Sequence, residues 1–131
     1  MKLKKTIIFI FVSFMLTGCA ARTGLLVEVS DGTKPLMGEA VATVVSGTFQ
    51  VSNLEGYTCN GSYNQWTKSP ILKTKVSCSD GRFGEVMVMR TGPNFMNGSG
   101  EGVLNDGTKF RVLMGDMVHY RNTQGVWEKA K

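Results

Sequence analysis

From Leu25 onward apolar and polar residues alternate with a period of two, the spacing that sends successive side chains to opposite faces of a strand. Residues 25–29 (LLVEV) predict a short strand, and Ser30, Asp31, Gly32 and Thr33 supply turn chemistry behind it. Strands are expected next at 38–45 and 47–51, followed by a turn at 52–56. Over 57–63 the alternation places Tyr57, Cys59, Gly61 and Tyr63 on one face, and over 71–78 it does the same for Leu72, Thr74, Val76 and Cys78. After Asp80-Gly81 it resumes over 83–90 (FGEVMVMR), and 91–94 reads as a loop. Segments 100–104 and 109–114 flank Asn105-Asp106-Gly107-Thr108, the clearest hairpin signal in the chain, and 117–121 and 126–127 predict the last strands. No window keeps apolar residues at helical spacings of three and four, so no helix is expected after the first two dozen residues. Seven to nine short strands joined by Asn-, Asp- and Gly-rich turns predict an all-β fold, a small antiparallel β-barrel or sandwich.

Length and composition narrow this further. A chain of 131 residues with 16 Gly makes one modest domain and no helical bundle. With 3 Cys and 1 His it cannot build a four-cysteine zinc site. Asp-Gly recurs at Asp31-Gly32, Asp80-Gly81 and Asp106-Gly107. These pairs suit type I′ turns, which need positive φ at both central positions, and they lack the alternating oxygen ligands of a calcium loop. No metal or other cofactor is expected.

The first segment is an address and not part of the fold. Lys2, Lys4 and Lys5 precede the apolar stretch 6–16, which is too short to cross a bilayer comfortably and has the length of a signal-peptide core. The residues that follow, Leu16-Thr17-Gly18-Cys19, resemble the lipobox of bacterial lipoproteins. That resemblance implies a diacylglycerol on the Cys19 thiol and cleavage before it. The chain then divides into a signal peptide at 1–18, a lipidated tether at 19–24 and a single β domain at 25–131. Ala20 and Ala21 stand where an Asp would signal retention at the inner membrane, so the resemblance implies an outer-membrane anchor facing the periplasm. Loss of the three leader lysines lowers the formal charge from +5 to +2, which removes the basis for a nucleic-acid partner. The expected partners are the membrane, through the lipid on Cys19, and an envelope protein or cell-wall component.

With Cys19 taken by lipid, Cys59 and Cys78 remain in an exported chain, and an even pair in an oxidising compartment predicts one disulfide. A redox-active pair would need a tight Cys-x-x-Cys at a helix start, which the sequence lacks.

Catalytic signatures are sparse. His119 lies in an expected strand with no nucleophile motif beside it, and Asp80, Glu85, Glu101, Asp106 and Asp116 fall at turns or on polar strand faces. Gly98-Ser99-Gly100-Glu101-Gly102 lacks the Lys-Ser/Thr ending of a phosphate-binding loop. Trp66 is the best candidate contact residue, because it sits in the polar stretch Tyr63-Asn64-Gln65-Trp66-Thr67-Lys68; Tyr63 and Arg82 are weaker companions, Arg82 standing at the disulfide end of the same hairpin. The expected role is binding or structural, with no enzyme activity. A narrower alternative comes from lysozyme-inhibitor lipoproteins, which share a lipobox, a compact antiparallel barrel and one disulfide. Tyr57-Thr58-Cys59 and Trp127-Glu128-Lys129 are loosely similar to segments of that family, but Asn97-Gly98-Ser99-Gly100 lacks the Tyr of its Ser-Gly-x-x-Tyr inhibitory loop. An accessory lipoprotein of a secretion, conjugation or envelope-assembly machine is a further alternative.

Overall fold

A computed structural model describes residues 20–120, and in it the alternating stretches form eight strands. They are β1 (Ala21–Val29), β2 (Leu36–Ala42), β3 (Gly47–Ser52), β4 (Thr58–Tyr63), β5 (Ile71–Cys78), β6 (Phe83–Thr91), β7 (Asn97–Leu104) and β8 (Lys109–Met114). Each pairs antiparallel with its sequence neighbour, and β1 pairs with β8 from Leu25↔Met114 to Val29↔Phe110, closing an up-and-down barrel. Closure gives every described strand a neighbour on both sides, which limits the usual route to edge-to-edge aggregation.

Alternation sets the inside. Leu25, Val27, Ala40, Val51, Cys59, Val76, Val86, Val88, Leu104, Phe110, Val112 and Met114 form one buried interior cluster. Large and small residues interlock there: a Cβ on Gly102 would come within 2.3 Å of the Phe110 ring, and one on Gly61 within 2.4 Å of Phe49. Any side chain at either glycine would collide with an aromatic ring that already fills the space. Leu26 and Leu113, opposite each other across the β1–β8 seam and of the outward parity, are buried as well, outside that cluster.

The β4–β5 seam has the shortest ladder, only Cys59↔Cys78 and Asn60↔Ser77. Beyond those pairs the Thr74 hydroxyl donates to the Ser62 carbonyl. The Cys59–Cys78 disulfide, expected from the cysteine count, forms at this seam and staples the barrel where its backbone pairing is thinnest.

Several boundaries differ from the sequence reading. Residues 21–24, expected in the tether, are the rim-side half of β1, paired with Ala42 through Glu39 and held by the Arg22–Glu39 ion pair. Val44 and Val45, expected at the end of a strand, sit exposed in the loop between β2 and β3, where the Thr43 hydroxyl accepts from Val45 and Ser46 N–H. Of the expected strand 117–121, residues 117–120 belong instead to a 3₁₀ helix, Gly115–Tyr120, because Gly115 takes φ 65° and turns the chain out of β8; residue 121 lies outside the described residues. A second 3₁₀ turn spans Pro93–Phe95. The expected strand at 126–127 and the lipidation residue Cys19 lie outside the described residues.

Candidate functional site

Strand direction sorts the connections into two ends. The turns after β1, β3, β5 and β7 gather at one end, and the connections after β2, β4 and β6 gather at the other, together with the start of β1 and the exit from β8.

The first end is closed. All four of its turns carry a glycine in the left-handed region, Gly32, Gly56, Gly81 and Gly107, at φ between 83° and 90°. The preceding Asp residues do not have positive φ, so these are not type I′ turns. Instead Asp31, Asn53, Asp80 and Asp106 each accept from a backbone N–H two residues on, and the glycine completes the bend. This arrangement turns one oxygen of each Asp side chain toward Arg82. The Arg82 guanidinium lies 3.0 Å from Asp31, 2.7 Å from Asp80 and 3.2 Å from Asp106, and it also donates to the Tyr57 hydroxyl at 3.1 Å and the Thr108 hydroxyl at 3.3 Å. One side chain thus touches every turn at that end.

Electrostatics follow the geometry. Hydrogen bonds from the Thr33 side chain and backbone, with Arg82 behind them, hold the Asp31 carboxyl down at about 2. Burial pushes Asp80 up, but hydrogen bonds from Arg82 outweigh it and leave the carboxyl below the usual range. Hydrogen bonds from Thr108, then Arg82, depress Asp106. Burial raises the Tyr57 hydroxyl, with Arg82 opposing.

Above this floor lies a cavity of about 400 Å³ inside the barrel. Its deep wall is apolar: Val27, Val51, Val76, Val86, Leu104 and Phe110 are all buried. Toward the other end the inward residues Thr23, Ala42, Phe49, Tyr63, Leu72 and Thr74 are only half-buried, so solvent reaches the upper half of the interior. Among the described residues the cavity is a cup, closed at the Arg82 end and open toward the rim where the described chain begins. Its size falls within the range of small-ligand sites, and eight strands make a barrel that can hold one small ligand.

Among the described residues one charged side chain lines the cup. Arg90 is 7% exposed and continues the inward row Val86, Val88 of β6. Its Nη2 donates to the Thr67 and Ser69 carbonyls at 3.1 and 2.6 Å, and the Phe95 ring covers it at 4.8 Å. Its Nε is buried with no acceptor. Among the described residues no carboxylate pairs with it. Phe95 and its neighbour Asn94 both adopt left-handed backbone, φ 54° and 56°, a conformation that costs about 1–3 kcal/mol for each residue of this kind. The loop is therefore held in a strained shape with its aromatic on the guanidinium, and the Thr23 hydroxyl donating to the Met96 carbonyl ties it to β1.

The residues proposed from sequence are scattered. Trp66 is exposed in the rim loop between β4 and β5, where its backbone N–H donates to the Asn64 side-chain oxygen. Tyr63, at the end of β4, lines the cup rather than the outer surface, and burial raises its hydroxyl while Arg90 opposes the shift. Arg82 stands at the disulfide end of the β5 hairpin, as its place in the sequence implied; it is committed to the turns of the closed end, opposite the loop that carries Trp66. His119 belongs to the 3₁₀ helix Gly115–Tyr120 and not to a strand. Arg90 was missed, although the sequence signal exists: in Val86-Met87-Val88-Met89-Arg90 the charge occupies the same parity as the buried valines. Comparison with protein-family models, curated proteins and solved structures yields no match for this chain.

Proposed function

We propose that this protein is a lipid-anchored binding barrel on the periplasmic face of the outer membrane, taking a small apolar or amphipathic molecule into its cup without catalysing a reaction. The observation that carries the binding role is the cup: about 400 Å³ of space with a buried apolar wall, reachable by solvent from one end. Well-packed interiors leave few voids larger than a water molecule, so a space of this size calls for an occupant. The anchor rests on the resemblance of Leu16-Thr17-Gly18-Cys19 to a lipobox. Cys19 precedes Ala21, which lines the rim, by two residues, a reach of at most about 7 Å. Acyl chains on Cys19 would then hold the open end against the bilayer. Trp66, Val44 and Val45 are exposed on loops at that same end, and Trp is a residue favoured at membrane interfaces.

The direct test is titration of the soluble domain with 1-aminoanthracene, a neutral fluorescent apolar probe. Saturable binding of one probe per chain is expected, and Ala40→Trp, which fills the cup from β2, should abolish it while the β circular dichroism is retained. Failure of the wild-type domain to bind the probe would contradict the cup reading.

A further inference from the structure

The cup does not end in an apolar rim. A buried guanidinium is expensive unless its donors are satisfied, because removing a charge from water costs several kcal/mol that only good partners offset. Arg90 has five N–H donors to satisfy. The Thr67 and Ser69 carbonyls take the two on Nη2, and the Phe95 ring contributes a cation–π contact; the two on Nη1 have no protein acceptor among the described residues, and Nε is buried with none. A carboxylate partner would be the ordinary solution, and among the described residues none stands there. This guanidinium, without a carboxylate partner among the described residues, lines the same cavity whose lower wall is made of Val51, Val76, Val86 and Phe110.

We propose that Arg90 is the headgroup subsite of the cup: its guanidinium, which lines the cavity, donates to an anionic oxygen, carboxylate or phosphate, of a single-chain amphiphile whose tail lies on the apolar floor. This rests on the cup reading above and adds the chemistry of the ligand. The order along the barrel fits such a molecule. Arg90, Tyr63, Gln65 and Phe95 lie at the open end, and polar groups give way to buried aliphatic ones toward the closed end. The strained Asn94–Phe95 backbone fits as well, since it holds the ring against the guanidinium and limits the approach of water to it. Two sources can supply the headgroup, a free fatty acid or a monoacyl phosphate derived from membrane lipid, and both present the same acceptor oxygens.

The experiment is competition against bound 1-aminoanthracene by laurate, dodecyl phosphate and dodecanol, which share one tail and differ in the head. The wild-type domain should bind at least one of the two anions about tenfold or more tightly than the alcohol, the factor expected of a charge-assisted hydrogen bond. A lead for laurate identifies the free acid as the source, and a lead for dodecyl phosphate identifies the lipid-derived phosphate. Arg90→Gln should level all three while leaving dodecanol affinity within about twofold, and Arg90→Lys should keep part of the preference. Equal affinities for the three competitors in the wild-type domain would overturn the headgroup assignment with the cup reading intact. That comparison needs no variant, so it stands even if Arg90→Gln fails to fold. Absence of probe binding altogether would instead count against the cup.

Discussion

Replacing Arg82 by Met keeps the aliphatic stem and removes every contact that joins the turns of the closed end. The expected loss can be built from the exposures. The Arg82 side chain is 18% exposed, while its partners Asp31 and Asp80 are 34% and 39% exposed, so screening by water holds each of these pairs to about 0.5–1 kcal/mol. The bond to the part-buried Tyr57 hydroxyl adds about 1 kcal/mol. Asp106 is solvated and is left out of the sum. The total, about 2–3 kcal/mol, is a large share of the roughly 5–15 kcal/mol that stabilises an ordinary domain. At about 4–8 °C per kcal/mol for a domain near this size, the melting temperature should fall by roughly 8–24 °C. Urea unfolding of wild type, Arg82→Met and Arg82→Lys measures it directly. The Lys variant should recover less than half of the loss, because an ammonium cannot reproduce the planar fork that reaches several turns at once. A loss under about 0.5 kcal/mol for Arg82→Met, the range of an ordinary surface change, would refute the idea that this residue closes the barrel end.

The other expectations are simpler to state. Cys59→Ala with Cys78→Ala should cost about 2–4 kcal/mol in urea unfolding, and amide exchange should rise first in β4 and β5; unchanged stability would mean that the seam holds without its staple. The carboxyls of Asp31, Asp80 and Asp106 all lie lower in the folded state than the unfolded value of about 3.9, so their contribution is complete above about pH 4 and is lost as pH falls toward about 2. The urea midpoint should fall through that window, and Arg82→Met should weaken the fall without abolishing it, since the hydrogen bonds from Thr33 and Thr108 remain; a flat midpoint from about pH 5 to about pH 2 would contradict the assignment. Cys19→Ser should abolish acyl labelling and leave the protein outside the lipid-modified pool, whereas undiminished palmitate incorporation would remove the anchor from the account.

Strands were legible where one face is aliphatic. Residues 71–78 and 109–114 match β5 and β8 to the residue, because their inward positions, Thr74 excepted, are large and apolar or carry the cysteine. β1 was cut short because its inward residues near the rim are Ala21 and Thr23, too small and too polar to mark a face, even though they line the cup. The 3₁₀ helix after β8 was misread because the alternation of 117–121 carries no sign that Gly115 has already turned the chain away. The turn residues were recognised one hairpin at a time. Their convergence on Arg82 depends on barrel closure, which brings together positions as distant in sequence as Asp31 and Asp106. Arg90 is the reverse case. Its place in the apolar register of β6 was visible, but the cost of that placement emerges only when its neighbours are found to be two carbonyls and a ring.

The central claim is that a ligand occupies the inside of this barrel, and methyl NMR during titration with laurate tests it most directly. The predicted result is movement of the inward methyls of Val51, Leu72, Val86, Val88, Val112 and Met114, with the outward-facing Val41 and Val103 unmoved. Shifts confined to outward methyls, or none at concentrations that saturate the fluorescent probe, would contradict it.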